Sequence, residues 1–125
     1  MIKILLVGMG GFAGSVCRYM IGELSARLMN APIFPYGTLA ANLLGCLVIG
    51  LLGGAAENRQ WLTPEIRALV MVGFLGGFTT FSTFGYDIFN LTRNGQAALA
   101  AASLILHMIL GIGAVWLGFS MSKMV

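Results

Sequence analysis

Four stretches of this chain run for about 20 residues each with almost no charge, the length an α-helix needs to cross the hydrocarbon core of a bilayer. They extend from Ile4 to Ile21, Gly37 to Ala56, Ile66 to Leu91 and Gln96 to Met121. Turn and charge signals separate them. Asn30-Ala31-Pro32-Ile33-Phe34-Pro35 breaks the chain after the first, and Glu57-Asn58-Arg59-Gln60 closes the second. Thr63-Pro64-Glu65 reads as a cap with proline in the first helical turn, and Arg93-Asn94-Gly95 makes the last turn. The pattern predicts an all-α membrane protein, a single domain over 1–125 with four transmembrane helices at 4–28, 37–56, 65–91 and 95–122.

Within the third segment, Gly76-Gly77-Phe78-Thr79-Thr80-Phe81-Ser82-Thr83-Phe84 is apolar enough to lie in lipid yet badly suited to an unbroken helix. Each interior glycine costs a helix about 1 kcal/mol relative to alanine, and threonine loses χ1 freedom there. The middle of the segment falls at Phe78, so the third helix is expected to be broken at midspan. Backbone freed at that depth must find partners inside protein or in a wet cavity. A break leaves carbonyls of the preceding half-helix free for a cation and N–H groups of the following half free to face an anion. The carbonyls of Gly76 and Thr79 are the cation-site candidates. A glycine-rich packing notch, with its hydroxyls bonded back to their own helix, is the alternative.

Composition confirms the setting. With 58% hydrophobic and 9% charged residues in 125, no soluble domain could hide so much apolar surface. The net charge of +3 comes from basic residues at the ends of apolar segments, which suits lipid headgroups and gives no nucleic-acid groove. Cys17 and Cys46 lie inside spans without metal-ligand spacing and read as free thiols. The N-terminus has the outline of a signal peptide, but its apolar character continues to Ile21, as in a retained span.

Cytoplasmic loops collect Lys and Arg, and here the count barely decides an orientation. Lys3, Arg59, Arg67 and Lys123 fall on one side, Arg27, Arg93 and the nearby Arg18 on the other. A chain so evenly charged is expected to insert both ways and to form an antiparallel homodimer, which supplies the inverted repeat that larger transporters encode in one chain. Glycines four apart, at Gly10 and Gly14, Gly50 and Gly54, and Gly73 and Gly77, allow helix backbones to approach closely.

Several residues inside the spans carry chemistry. Phe81 and Phe84 share a face of any helix resuming after the break, with Ser82 and Thr83 on adjacent faces. The positive edges of aromatic rings can hold an anion without a full charge that would bind it too tightly to release. A core stripe through Phe74, Phe78 and Phe81 is the plainer alternative. Asn42 can donate to an anion or bond a neighbouring helix, and His107, one turn from Ser103, has the same two options. Arg18 can snorkel to the interface or concentrate anions at a vestibule, and Asp87 needs a partner if it lies near an anion path.

These residues carry a resemblance. Gly10-Gly11-Phe12-Ala13-Gly14 with Arg18-Tyr19, Gly37-Thr38-Leu39 with Asn42-Leu43-Leu44-Gly45, and above all Gly73-Phe74-Leu75-Gly76-Gly77-Phe78-Thr79-Thr80-Phe81-Ser82-Thr83-Phe84 resemble the CrcB, or Fluc, family of fluoride channels over the whole length. The resemblance implies an antiparallel, dual-topology homodimer in the bacterial inner membrane that passively exports fluoride, with two pores and a structural sodium ion at the dimer centre. On this chain it implies that Phe81 and Phe84 form an aromatic box, Asn42 donates to fluoride, and Ser82 and Thr83 supply hydroxyls. His107 would start a polar track, Arg18 would sit at a vestibule, and the carbonyls of Gly76 and Thr79 would hold the sodium. The chain departs from the family at Gly111, where the track would need a hydroxyl, and at Gly85 and Asp87, where relatives often have Ser and Glu.

Two other classes compete. A small dual-topology multidrug transporter lacks its expected acid in the first helix, and an intramembrane enzyme using Ser103 and His107 lacks an orienting carboxylate. The balanced charge yields a direct expectation. Fusions of this chain to C-terminal reporters active only inside and only outside the cell should both give signal. One silent reporter, with its fusion present in the membrane, would rule out insertion in both orientations.

Overall fold

The computed structural model describes residues 1–30, 33–58 and 62–124. Regular structure among them is entirely helical: α1 (Ile2–Leu28), α2 (Tyr36–Asn58), α3 (64–78), α4 (Phe81–Arg93) and α5 (Ala97–Ser122). Among the described residues four segments are long and apolar enough to cross a membrane, with α3 and α4 forming one of them, Pro64–Arg93. Ala31 and Pro32 of the first expected turn, and Arg59 and Gln60 of the second, lie outside the described residues.

Local chemistry sets the helix ends. Thr63 caps α3 by accepting from Ile66 N at 3.3 Å, and Pro64 occupies a first-turn position whose missing N–H costs nothing. The last turn of the chain needs glycine: Gly95, at φ +74°, lets Gln96 N reach back to Leu91 O (2.8 Å) and its own N–H reach Thr92 O (3.1 Å). This paired arrangement satisfies the carbonyls at the end of α4 and starts α5 at Ala97.

Two departures from regular α-helix shape the third segment. Arg67–Leu75 adopts the wider i→i+5 hydrogen-bonding pattern of a π-helix before Gly76–Phe78 returns to α. Then the chain leaves helical geometry altogether: Thr79 (φ −87°, ψ 159°) and Thr80 (φ −154°, ψ 121°) are extended, and α4 begins at Phe81.

The helices pack chiefly as two pairs, α1 with α3 and α2 with α5. Both seams are made by glycine. A methyl at Gly10 would strike the Leu69 carbonyl and come within 2.8 Å of Phe74 N, and one at Gly77 would lie 2.5 Å from Gly11 O. On the other seam Gly50 faces the Val115 carbonyl, and Gly118 faces Leu47 O and lies 2.8 Å from Leu51 N, measured from its missing methyl. Backbone meets backbone, which suits association in lipid, where no hydrophobic drive separates helix from solvent. Large apolar side chains such as Phe12, Ile112 and Trp116 stand on the outside, as a lipid-facing surface requires.

The seams predict a sharp contrast. Gly10→Ala should lower the thermal unfolding midpoint in detergent, through overpacking of about 1–3 kcal/mol. Gly8→Ala, with nothing within 4 Å of its methyl, should hold or raise it. Equal midpoints would show that α1 and α3 are not seated this closely.

Candidate functional site

The extended pair Thr79-Thr80 strips polar backbone of helical partners, and one side chain replaces them. Asn42, half-buried on α2, accepts from Thr80 N through Oδ1 at 2.8 Å and donates through Nδ2 to Thr80 O at 3.2 Å. The amide thus pairs with a backbone unit as a neighbouring strand would. Its second Nδ2 hydrogen has no partner among the described residues and can donate. Because Thr80 N is diverted to Asn42, the Gly76 carbonyl loses the i+4 donor that an unbroken helix would give it. Gly76 is exposed, with nothing within 4 Å of a methyl built on it. Thr79 turns its hydroxyl back to Leu75 O at 2.9 Å, the same carbonyl its own N–H reaches.

Thr80 also starts the next helix. Its Oγ1 accepts from Thr83 N (3.2 Å), an N-cap bond, and lies 3.2 Å from Ser82 Oγ. The same hydroxyl donates to Thr83 Oγ1 at 3.1 Å, which leaves the Thr83 hydrogen free. Three hydroxyls therefore gather at the N-terminus of α4, where the helix dipole is positive.

One turn further, Phe84 is 6% exposed and packs between two rings: Phe81, with centroids 5.8 Å apart and planes at 58°, and His107 of α5, at 4.2 Å and 39°. Phe81 itself is 81% exposed, while Phe74 and Phe78 stack on each other with rings 5.7 Å apart. Phe81 is therefore not part of a core stripe. A cavity of about 400 Å³ opens beside this group, reached by Asn42, Cys46, Thr79, Thr80, Phe84 and His107 among others. No Lys, Arg, Asp or Glu lines it among the described residues. Such a space can hold a small ion only through neutral dipoles and ring edges.

Comparison with known proteins places the chain. The family model described as CrcB-like protein, Camphor Resistance (CrcB) matches residues 5–119. The chain belongs to the CrcB family. A relative from Methylobacillus flagellatus is 40% identical over 124 residues, covering 99% of this chain and 97% of its own length. One from Maridesulfovibrio salexigens is 41% identical over 123 residues (98% and 97%), and one from Rhizobium etli 42% over 123 (98% of each). All three carry the name Fluoride-specific ion channel FluC.

In this CrcB chain the site residues read from the sequence are not all brought together. Asn42, Gly76, Thr79, Phe81, Phe84 and His107 line one cavity, whereas Ser82 and Thr83 lie exposed outside it and Arg18 is half-buried on α1 away from it. Asp87 finds the partner it needs in Thr38, whose Oγ1 donates to Oδ2 at 2.7 Å and so ties α4 to the start of α2. The sequence reading missed Thr80, which joins the Asn42 pair to the α4 cap. The signal was available in Thr80-Phe81-Ser82-Thr83, a hydroxyl three residues before the residue it caps.

The Asn42 pair can be tested without any transport assay. Asn42→Ala should speed hydrogen exchange at the Thr80 amide by about tenfold or more, the loss of roughly one hydrogen bond. Asn42→Asp keeps the acceptor but not the donor and should fall between. An unchanged Thr80 rate would mean that another group holds that amide.

Proposed function

We propose that this chain is the subunit of a fluoride channel, exporting fluoride passively from the bacterial cytoplasm across the inner membrane and so lowering its toxicity. The observation that carries this reading is its likeness, over nearly the full length of each chain, to relatives named Fluoride-specific ion channel FluC. The site chemistry supports it. Fluoride is small and strongly hydrated, so its water must be replaced by compact donors in a narrow space. The free Asn42 hydrogen, the Thr83 hydroxyl beside Ser82, and the ring edges of Phe81 and Phe84 are such donors. None binds with the strength of a full cation, so the ion can leave. Arg18 serves as a vestibule charge that raises the local anion concentration.

The working unit in this reading is an antiparallel, dual-topology homodimer with the break of the third span at the membrane midplane. Support comes from the even basic count and from Phe81, 81% exposed although its neighbour Phe84 is buried. A second copy would cover that ring and complete the path. The same dimer would bring four neutral carbonyls together, those of Gly76 and Thr79 from each copy. The Gly76 carbonyl fits this use, since it has lost its helical donor and belongs to an exposed residue. A sodium ion bound there would supply the positive charge that lets those oxygens face one another. Among the described residues no side-chain acid lines the cavity to help it move, which fits a structural role.

Liposomes loaded with fluoride test the reading. Purified protein should release fluoride, read with a fluoride electrode, while protein-free vesicles hold it. Phe81→Ile and Phe84→Ile remove the ring edges and should each cut flux by about tenfold or more, with the assembly intact on a sizing column. No fluoride release by the wild-type protein would end the proposal. Full release by both variants would return the rings to a packing role.

A further inference from the structure

The residues of α4 divide sharply around its axis. Ser82, Thr83, Tyr86, Asp87, Asn90 and Arg93 fall within an arc of about 140° at 3.6 residues per turn, while Phe81, Phe84, Ile88 and Leu91 take the other side. Thr92, on that apolar side, returns its hydroxyl to Ile88 O at 2.8 Å and needs no other partner. The polar stripe is not packed away. Ser82, Thr83, Tyr86 and Arg93 are exposed, and Asp87 and Asn90 are half-buried. Within a span such groups face hydrocarbon only at high cost, so they line water or protein.

Two observations favour water. The stripe runs without interruption to the end of the helix, where a second cavity of about 380 Å³ is walled by Asp87, Asn90, Asn94 and Gln96 together with Ile33 and Pro35. At 1.5 Å per residue the 13 residues of α4 cover about 20 Å, more than half of a hydrocarbon core about 30 Å thick. A break at mid-depth therefore puts Arg93 at the headgroups. Arg93 is exposed and makes no ion pair among the described residues. A protein cover would have to supply a partner for each polar group along that length, and water supplies them without any fitted surface.

We propose that the polar face of α4 is the wall of a water-filled vestibule that carries the anion between the cavity at the break and the membrane surface, with Tyr86 and Asn90 as its neutral donors and Arg93 as the charge at its mouth. The proposal rests on the fluoride reading above and adds the route by which the ion reaches the site. Ser82 and Thr83, which lie outside the cavity, stand at the inner end of this route, at the positive end of the helix dipole. Asp87 is the one acid on the stripe. It lies at the edge of the arc, and Thr38 Oγ1 of α2 donates to its Oδ2 at 2.7 Å, which leaves the middle of the stripe to Tyr86 and Asn90. Positive charge at the mouth and neutral dipoles along the wall gather anions without trapping them.

Thiol labelling tests the wall without any fluoride. A cysteine in water reacts as its thiolate, and one in an apolar setting is inert. With Cys17 and Cys46 replaced by serine and an anionic methanethiosulfonate reagent on both sides of the vesicle membrane, Tyr86→Cys and Asn90→Cys should react at least about tenfold faster than Ile88→Cys. Ile88 lies at the same depth on the opposite face, so depth alone predicts equal rates. Charge then tests the passage of an anion. Relative to the unlabelled variant, a sulfonate fixed at Asn90→Cys should cut fluoride flux several-fold, and an ammonium fixed there by the matching cationic reagent should hold or raise it. Equal labelling rates at positions 86, 88 and 90 overturn the wet wall, and disulfide-linked dimers of Asn90→Cys without labelling assign the stripe to a second copy instead. Fast labelling with flux indifferent to the attached charge overturns the route while leaving the channel. A wild-type protein that conducts no fluoride, whatever the labelling, ends the fluoride reading itself. Where Asn90→Cys fails to assemble, Tyr86→Cys carries both measurements.

Discussion

The pairing of Asn42 with the backbone of Thr80 is the constraint on which the site depends. A membrane interior offers no water to an exposed N–H or carbonyl, and each unsatisfied group costs several kcal/mol there. Thr79 and Thr80 can leave the helix because one amide side chain, with its donor and acceptor on the same plane, answers both polar groups of Thr80. The direction of α4 follows from this point, and with it the positions of Phe81 and Phe84. So does the loss of the helical donor to the Gly76 carbonyl.

Secondary ties keep α4 where the break leaves it. Thr38 holds Asp87 at one level and His107 meets Phe84 at another, so both α2 and α5 grip the short helix. The cavity between them is bounded by side chains from several helices and yet carries no fixed charge among its described lining residues. Neutrality there is a property of the whole wall. A single acid or base placed at Gly45 or Ile49 would change the character of the space more than the loss of any one donor.

The four spans were legible because uncharged runs of bilayer length seldom arise outside a membrane, and the motif around Gly73 to Phe84 made the family legible as well. That Thr79 and Thr80 in particular turn extended was not legible. The choice depends on Asn42, which lies 38 residues away and shows no local pattern. The π-helical stretch at Arg67–Leu75, which meets the glycine seam with α1, was not legible either. Asn42 was read as a candidate donor to an ion, and the structure gives one of its two hydrogens to Thr80.

The glycine seams have a thermodynamic side. A transmembrane helix inserts with its backbone already ordered, so the large backbone entropy that glycine loses on folding is not charged when two helices meet. What remains to be lost at such a meeting is rotamer freedom, and a residue without a side chain has none. Gly10, Gly50, Gly77 and Gly118 therefore join helices at almost no entropic cost, in a medium where little else drives them together.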